Sequence, residues 1–208
     1  MGWFGLPRPQ PAPTCMEIPL FPLDTVLFPG GMLPLKIFEQ RYLDMAAACM
    51  KEGKPFGVCL IAAGKEVGSV AEPHEVGTLA EITDWEMEQL GILMVTTRGG
   101  KRFRIIETSS SADNLLQAKV EIIEDDGPQP IPPERQRLLP LLRRIAGDLG
   151  PARFPAPHHY DDAEWVGYRL TEILPVQKLA KQKLLELQAP LARLEILEKY
   201  LDQRKLLG

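Results

Sequence analysis

The residues of this chain that are able to do chemistry are few, and their spacing does not suit catalysis. Gly-Lys pairs occur at Gly53-Lys54, Gly64-Lys65 and Gly100-Lys101. None has the preceding glycine or the following hydroxyl of a phosphate-cradling loop, where backbone N–H groups and a lysine must converge on one anion. The serines are Ser69 and the Ser109–Ser111 run. No G-x-S-x-G elbow lifts one of them out as a nucleophile. His158-His159 beside Asp161 and Asp162 brings imidazole and carboxylate together. Neighbouring histidines do not share a helix face, however, and no CxxC or HxxxH accompanies them, so the segment reads as a surface loop and not as a metal site. Cys15, Cys49 and Cys59 are odd in number, unlike a disulfide framework. Cys49 falls on an apolar helix face and Cys59 in an apolar strand, where a thiol is an inert core residue; pairing either with His74 is the weaker, enzymatic reading. The expectation is therefore no catalytic residue, no metal and no cofactor.

The positioning elements are more informative. The chain has 208 residues, 45% hydrophobic and 25% charged, with a formal net charge of −4. Such a chain buries most of its surface without a staple, and its acidic balance disfavours charge-driven binding to nucleic acid or anionic membrane. Pro7, Pro9, Pro11 and Pro13 interrupt the apolar start, so residues 1–14 read as a flexible Pro-rich arm and not as a signal peptide. With no later run of spanning length, the expectation is a cytoplasmic protein with no membrane contact.

Residues 16–21 and 33–38 have strand texture, joined through Pro29-Gly30-Gly31; Pro19, Pro22 and Pro34 place these strands at edges or bulges. Tyr42, Met45, Ala46, Cys49 and Met50 recur at helical spacing over 39–53, closed by Gly53. Further strands are expected at 55–62, 77–87, 91–98, 101–108 and 115–125, with Gly64, Gly68, Gly91, Gly99-Gly100 and Ser109–Ser111 as turns. Arg102 and Arg104 alternate with Phe103 and Ile105, which predicts a strand with one wet face. After the break at 125–133 the texture is helical: 134–150 with Pro140 marking a kink or late start, a helix opening near Asp161 and Glu164 through about Leu174, then 176–188 and 190–205. In the helix from 176, Leu179, Leu184 and Leu187 mark the buried side and Lys178, Lys181 and Lys183 a solvated one. The fold class is α+β, a curled sheet or small barrel followed by a helical bundle. Its divisions are a 1–14 arm, a β-rich 15–125 and a helical 126–208.

Residues 18–45, IPLFPLDTVLFPGGMLPLKIFEQRYLDM, resemble the opening of the Lon protease N-terminal, substrate-recognition domain family. The resemblance rests on Pro19–Leu23, Phe28-Pro29-Gly30, Pro34-Leu35, Ile37-Phe38-Glu39 and Arg41-Tyr42. It continues through Gly77–Ile82, Gly100 with Arg102-Phe103, Leu174-Pro175 and Lys181–Glu186, about Glu17 to Leu201. It implies a PUA-like β pseudo-barrel followed by helices, with Phe21, Leu35, Ile37 and Phe38 plugging the barrel core. The ATPase and Ser-Lys peptidase motifs of full Lon proteases are absent, so the resemblance implies a stand-alone, non-catalytic recognition module in which a peptidase label describes ancestry. It also implies unfolded or client polypeptides as partners, in protein quality control, with a separate protease or chaperone as a companion. The alternative is an RNA-binding PUA-like module, opposed by the acidic balance and by the lack of a basic stripe with interleaved aromatics. Phe28, Pro29, Met32 and Trp85 lie in or beside turns and are the candidate partner-binding residues; for such hydrophobes the alternatives are a core plug or a surface patch. The purified protein is expected neither to bind ATP nor to cleave casein, and nucleotide-dependent proteolysis surviving rigorous purification would contradict this.

Overall fold

The structure is a computed structural model that describes residues 14–66, 71–125 and 127–207. The Pro-rich arm, apart from Thr14, and the turn signal at Gly68 lie outside these residues. In chain order the elements are β1 (Cys15–Leu23), β2 (Met32–Ile37), α1 (Gln40–Glu52), β3 (Phe56–Ala63), β4 (Glu72–Pro73), β5 (Val76–Gln89), β6 (Ile92–Ser110) and β7 (Leu116–Ile123). A 3-10 turn (Pro133–Leu138) follows, then α2 (Leu139–Leu149), α3 (Ala163–Ile173), α4 (Lys178–Glu186) and α5 (Pro190–Gln203). The chain is thus a large sheet with several helices.

The sheet runs β1-β7-β6-β5-β3-β4, and β1 also pairs β3 in parallel, Leu20 opposite Gly57 through Leu23 opposite Leu60. That pairing closes a ring through β1, β7, β6, β5 and β3. Inside it Ile18, Leu20, Phe103, Val120 and Ile122 pack as one cluster, while Phe21, Leu35, Ile37, Phe56 and Val58 join α1's Tyr42, Met45 and Cys49 in another. The ring is tight: a Cβ on Gly57 would lie 2.6 Å from a Leu20 methyl, and one on Gly77 would lie 2.5 Å from the Val58 carbonyl. Gly53 caps α1 in the left-handed conformation at φ 63°. α2 to α5 surround their own apolar cluster, centred on Leu138, Leu142, Val166, Leu170, Leu194 and Leu197.

Four expectations are corrected. Gly99-Gly100 is not a turn, because β6 runs unbroken through it from Ile92 to Ser110, taking in Ser109 and Ser110 as well. Gly99 is required there by close approach, since a Cβ would lie 2.1 Å from the Phe28 carbonyl oxygen; the loop crosses β6 with Gly30 N–H donating to Gly99 O at 2.7 Å and Gly99 N–H to Gly31 O at 2.8 Å. Arg102 is not on a wet face but is 1% exposed, covered by the C-terminal end of α4 and the residues that follow it. Phe38 is not a core plug: strand alternation turns Ile37 inward at 1% exposure and Phe38 outward at 54%. Leu179 is exposed as well, because α4 buries Gln182, Leu184 and Leu185 instead. At Pro140 the outcome is the late start, with Pro140 in the first turn of α2 behind the 3-10 turn. The cap of α3 is Asp162, whose carboxylate accepts from Glu164 and Trp165 N–H.

Sheet and helices meet across a seam of buried guanidinium groups. Arg102 donates to the Leu185 and Leu187 carbonyls at 2.9 and 3.3 Å and pairs with Asp125. Arg169 donates to the Pro29 carbonyl at 2.7 Å and pairs with Glu172 at 3.0 Å. Arg193 donates to the Leu184 carbonyl at 2.9 Å and lies 4.0 Å from the centroid of the Tyr168 ring. Gln182 donates to Val76 O at 2.9 Å, and Phe28, Val76, Ile123, Tyr168 and Leu185 fill the apolar part of the seam. Arg102→Ala leaves Asp125 and two carbonyls without their donor, and is expected to cost about 3–5 kcal/mol in urea unfolding. Gly99→Ala should be severely destabilising, whereas Gly100→Ala, whose Cβ would meet Leu79 at an ordinary 3.6 Å, should fold normally.

Candidate functional site

The loop Asp24–Gly31 decides which of the candidate residues face outward. Thr78 Oγ1 donates to the Leu27 carbonyl at 2.7 Å, and Arg169 holds the Pro29 carbonyl. Between these anchors Phe28 is driven inward to 0% exposure, its ring 5.8 Å from that of Tyr168. For Phe28 the structure shows the core plug, because two clamped carbonyls leave its side chain no other direction. Pro29 and Met32 are half-buried, and Trp85 is 57% exposed. Met32 and Trp85 are not brought together, since Met32 pairs with Arg98 on one flank of β6 and Trp85 with Val95 on the other.

The residue that the sequence reading placed wrongly, Phe38, stands at the edge of a distinct cleft. Phe21 and Leu23 of β1, Leu33 and Leu35 of β2 and Tyr42 of α1 line a space of about 340 Å³, rimmed by Phe38, Glu39 and Glu66. Tyr42 stacks on Phe21 with ring centroids 4.0 Å apart. Arg41 covers the Tyr42 ring at 4.7 Å, pairs with Glu39 at 2.9 Å and donates to the Asn114 carbonyl at 3.0 Å. Burial pushes the Tyr42 phenol above its usual pKa, with Arg41 opposing, so Tyr42 serves as a neutral wall. The sequence did carry a signal for Phe38: strand alternation places it opposite to Ile37.

The lining of this cleft contains no serine, cysteine or histidine. Burial pushes the Cys49 and Cys59 thiols up, away from the reactive thiolate. Among the described residues no cluster of His, Cys, Asp or Glu is placed to hold a metal, and His158 Nε2 lies 3.1 Å from the Phe154 carbonyl oxygen inside an aromatic group with Tyr160 and Trp165. Among the described residues no helix is long and apolar enough to cross a membrane. An apolar trough with Lys36, Glu39 and Glu66 among its lining can hold apolar side chains of a partner.

Residues 17–203 match the family model of the ATP-dependent protease La (LON) substrate-binding domain. The chain belongs to this family. A solved Lon N-terminal domain protein from Xanthomonas campestris shares 34% identity and a TM-score of 0.75, over 89% of this chain and 98% of that one. The N-terminal domain of the Mycobacterium avium complex Lon protease, at 18% identity and a TM-score of 0.64, shares the fold. Among curated relatives, Lon protease 2 of Herpetosiphon aurantiacus is 28% identical over 92% of this chain, and protein cereblon of Xenopus tropicalis 27% over 76%. The chain spans only 24% and 37% of those two relatives.

The seam also carries a pH signature in this Lon-type domain. Glu164 has its carboxyl pKa raised from 4.5 by burial and by Asp125, with Arg102, Arg193 and a hydrogen bond from Tyr168 opposing. The folded state therefore holds that proton more tightly than the unfolded chain does, and stability falls as pH rises from about 4.5 through the raised value. Glu164→Gln, which keeps an acceptor for Tyr168, should flatten that fall in a series of thermal melts. Phe28→Ala is expected to cost about 3–5 kcal/mol as a core truncation, and Phe38→Ser to stay within about 0.5 kcal/mol.

Proposed function

We propose that this chain is a non-catalytic recognition module that binds unfolded or client polypeptides through the cleft between β1, β2 and α1. The observation that carries the reading is the cleft itself, an apolar trough ending at the half-exposed Phe38, in a chain whose family is the Lon substrate-binding domain. Concave apolar sites with a few polar groups at the lip are the common form of a binding pocket. The ring through β1, β7, β6, β5 and β3 supports reading 15–125 as a PUA-like pseudo-barrel, and the apolar cluster of α2 to α5 supports reading 126–208 as a helical bundle. Protein quality control in the cytoplasm, beside a separate protease or chaperone, is the setting this reading implies. Met32 and Pro29 lie along the same loop and strand and are secondary contacts.

The competing ligand is RNA, and salt separates the two. Apolar capture is hardly screened, whereas attraction to phosphate depends on counterion release and fades steeply as salt rises. A reduced, unfolded model protein is expected to bind at physiological salt and to keep its affinity as salt is raised, with Phe38→Ser weakening it by about tenfold. Tight RNA binding at physiological salt without binding of the unfolded protein would overturn the proposal.

A further inference from the structure

The hairpin of β5 and β6 carries hydrophobic side chains out of the core and into solvent. Trp85 pairs with Val95 and Met87 with Leu93, and directly opposed residues share a face of the sheet. Val95 and Leu93 are buried, at 2% and 4% exposure, while Trp85 and Met87 are 57% and 54% exposed; Leu90, at the tip, is 98% exposed. One hydrophobic row thus runs from interior to surface. Beside Trp85 lies a depression of about 360 Å³ between the end of α1 and β5, with Cys49, Met50 and Ile82 among its walls and Glu81 and Asp84 at its edge.

The exposed charge on the outer half of β5 is mostly acidic, with Arg98 directly opposite Glu81 and Lys36 one strand beyond Glu86 as the basic groups across the ladder. Glu81, Asp84 and Glu86 are exposed, and none has a basic group within 4 Å among the described residues. Lys54, also at the depression, is held by Glu52 at 2.7 Å. β3 follows β5 only as far as Ala80, so the outer half of β5 has β6 as its one strand partner among the described residues. Strand addition there is opposed by register shifts between Ile82 and Asp84 and between Met87 and Gln89, and by the acidic side chains. Capture must therefore use side chains. A second copy of this arm would set carboxylates against carboxylates, which is unfavourable.

We infer that the β5–β6 arm is a second polypeptide contact, selecting segments in which large apolar residues stand next to lysine or arginine. The apolar residue enters the depression between Met50 and Trp85, and the neighbouring cation reaches Glu81, Asp84 or Glu86. This deepens the proposed function by naming a class of client, and it rests on that reading.

The test uses labelled peptides of alternating Leu and Lys, of Leu and Glu, and of Ser and Lys, titrated against the whole chain by fluorescence anisotropy. Thermal melts check that each variant is folded. The Leu/Lys peptide is expected to bind about tenfold tighter than either control. Trp85→Ser with Met87→Ser should remove that advantage, and Phe38→Ser should not. Glu81→Lys with Glu86→Lys should invert the preference toward the Leu/Glu peptide. Equal binding of Ser/Lys, an unchanged preference in the charge-reversed variant, or a dimer in sedimentation that Trp85→Ser with Met87→Ser dissolves would each overturn the inference. If the unfolded model protein still binds through Phe38 while the Leu/Lys preference is absent, the arm alone fails. If no polypeptide binds at all, the proposed function fails with it.

Discussion

The fold depends on guanidinium groups buried where the sheet meets the helices. Arg102, Arg169 and Arg193 are each 2% exposed or less. Each donates to main-chain carbonyls, those of Leu185 and Leu184 at the C-terminal end of α4, of Leu187 just after it, and of Pro29 in the loop before β2. Burying such a cation is costly unless paired and hydrogen-bonded. The seam offsets much of this cost with Asp125 and Glu172 and with the Tyr168 ring face, though Arg102 Nε, Arg169 Nε and Arg193 Nη1 find no acceptor among the described residues. Arginine suits this role because its planar fork reaches several acceptors at once, which a lysine ammonium on a flexible stem does less well.

That seam fixes the loop that precedes the cleft. Arg169 holds the Pro29 carbonyl, Gly99 lets the loop cross β6 in contact, and the pairing of Met32 with Arg98 then starts β2 in register. From this start, alternation along β2 aims Leu35 and Ile37 at the core and leaves Phe38 at the rim. Helices that never touch the cleft therefore set its geometry. The FPGG motif acts as a lock between halves, with Phe28 as its bolt.

Family membership and cleft shape both support the proposed recognition role. Under that proposal, partners without a fold of their own would offer apolar side chains in many orders, and a trough lined by Phe21, Leu23 and Tyr42 would accept them without demanding one sequence. The exposed arm of Trp85, Met87 and Leu90 adds apolar area on the far flank of β6. Large apolar surface left in water on a folded domain is a common mark of a binding face.

The sequence by itself determined the family and most of the order of elements, short of β4 and of the unbroken β6. Hydrophobic periodicity is local, so β1, β2, α1 and the helices after Pro133 were readable from spacing, and Pro140 from its missing N–H. The absence of nucleophile and phosphate-loop motifs was readable in the same way. What sequence could not supply was the second neighbour of each strand. Arg102 alternates with Phe103 as any wet-face residue does, and only the C-terminal end of α4, arriving from 83 residues away, turns that face into an interior. Gly99-Gly100 has turn composition, but the turn vanishes because a distant loop needs the space a Cβ would take. Phe28 and Phe38 are both aromatic and both flank loops. Their opposite fates, 0% and 54% exposed, were decided by two clamped carbonyls and one strand register, contacts that exist only once the tertiary structure has formed.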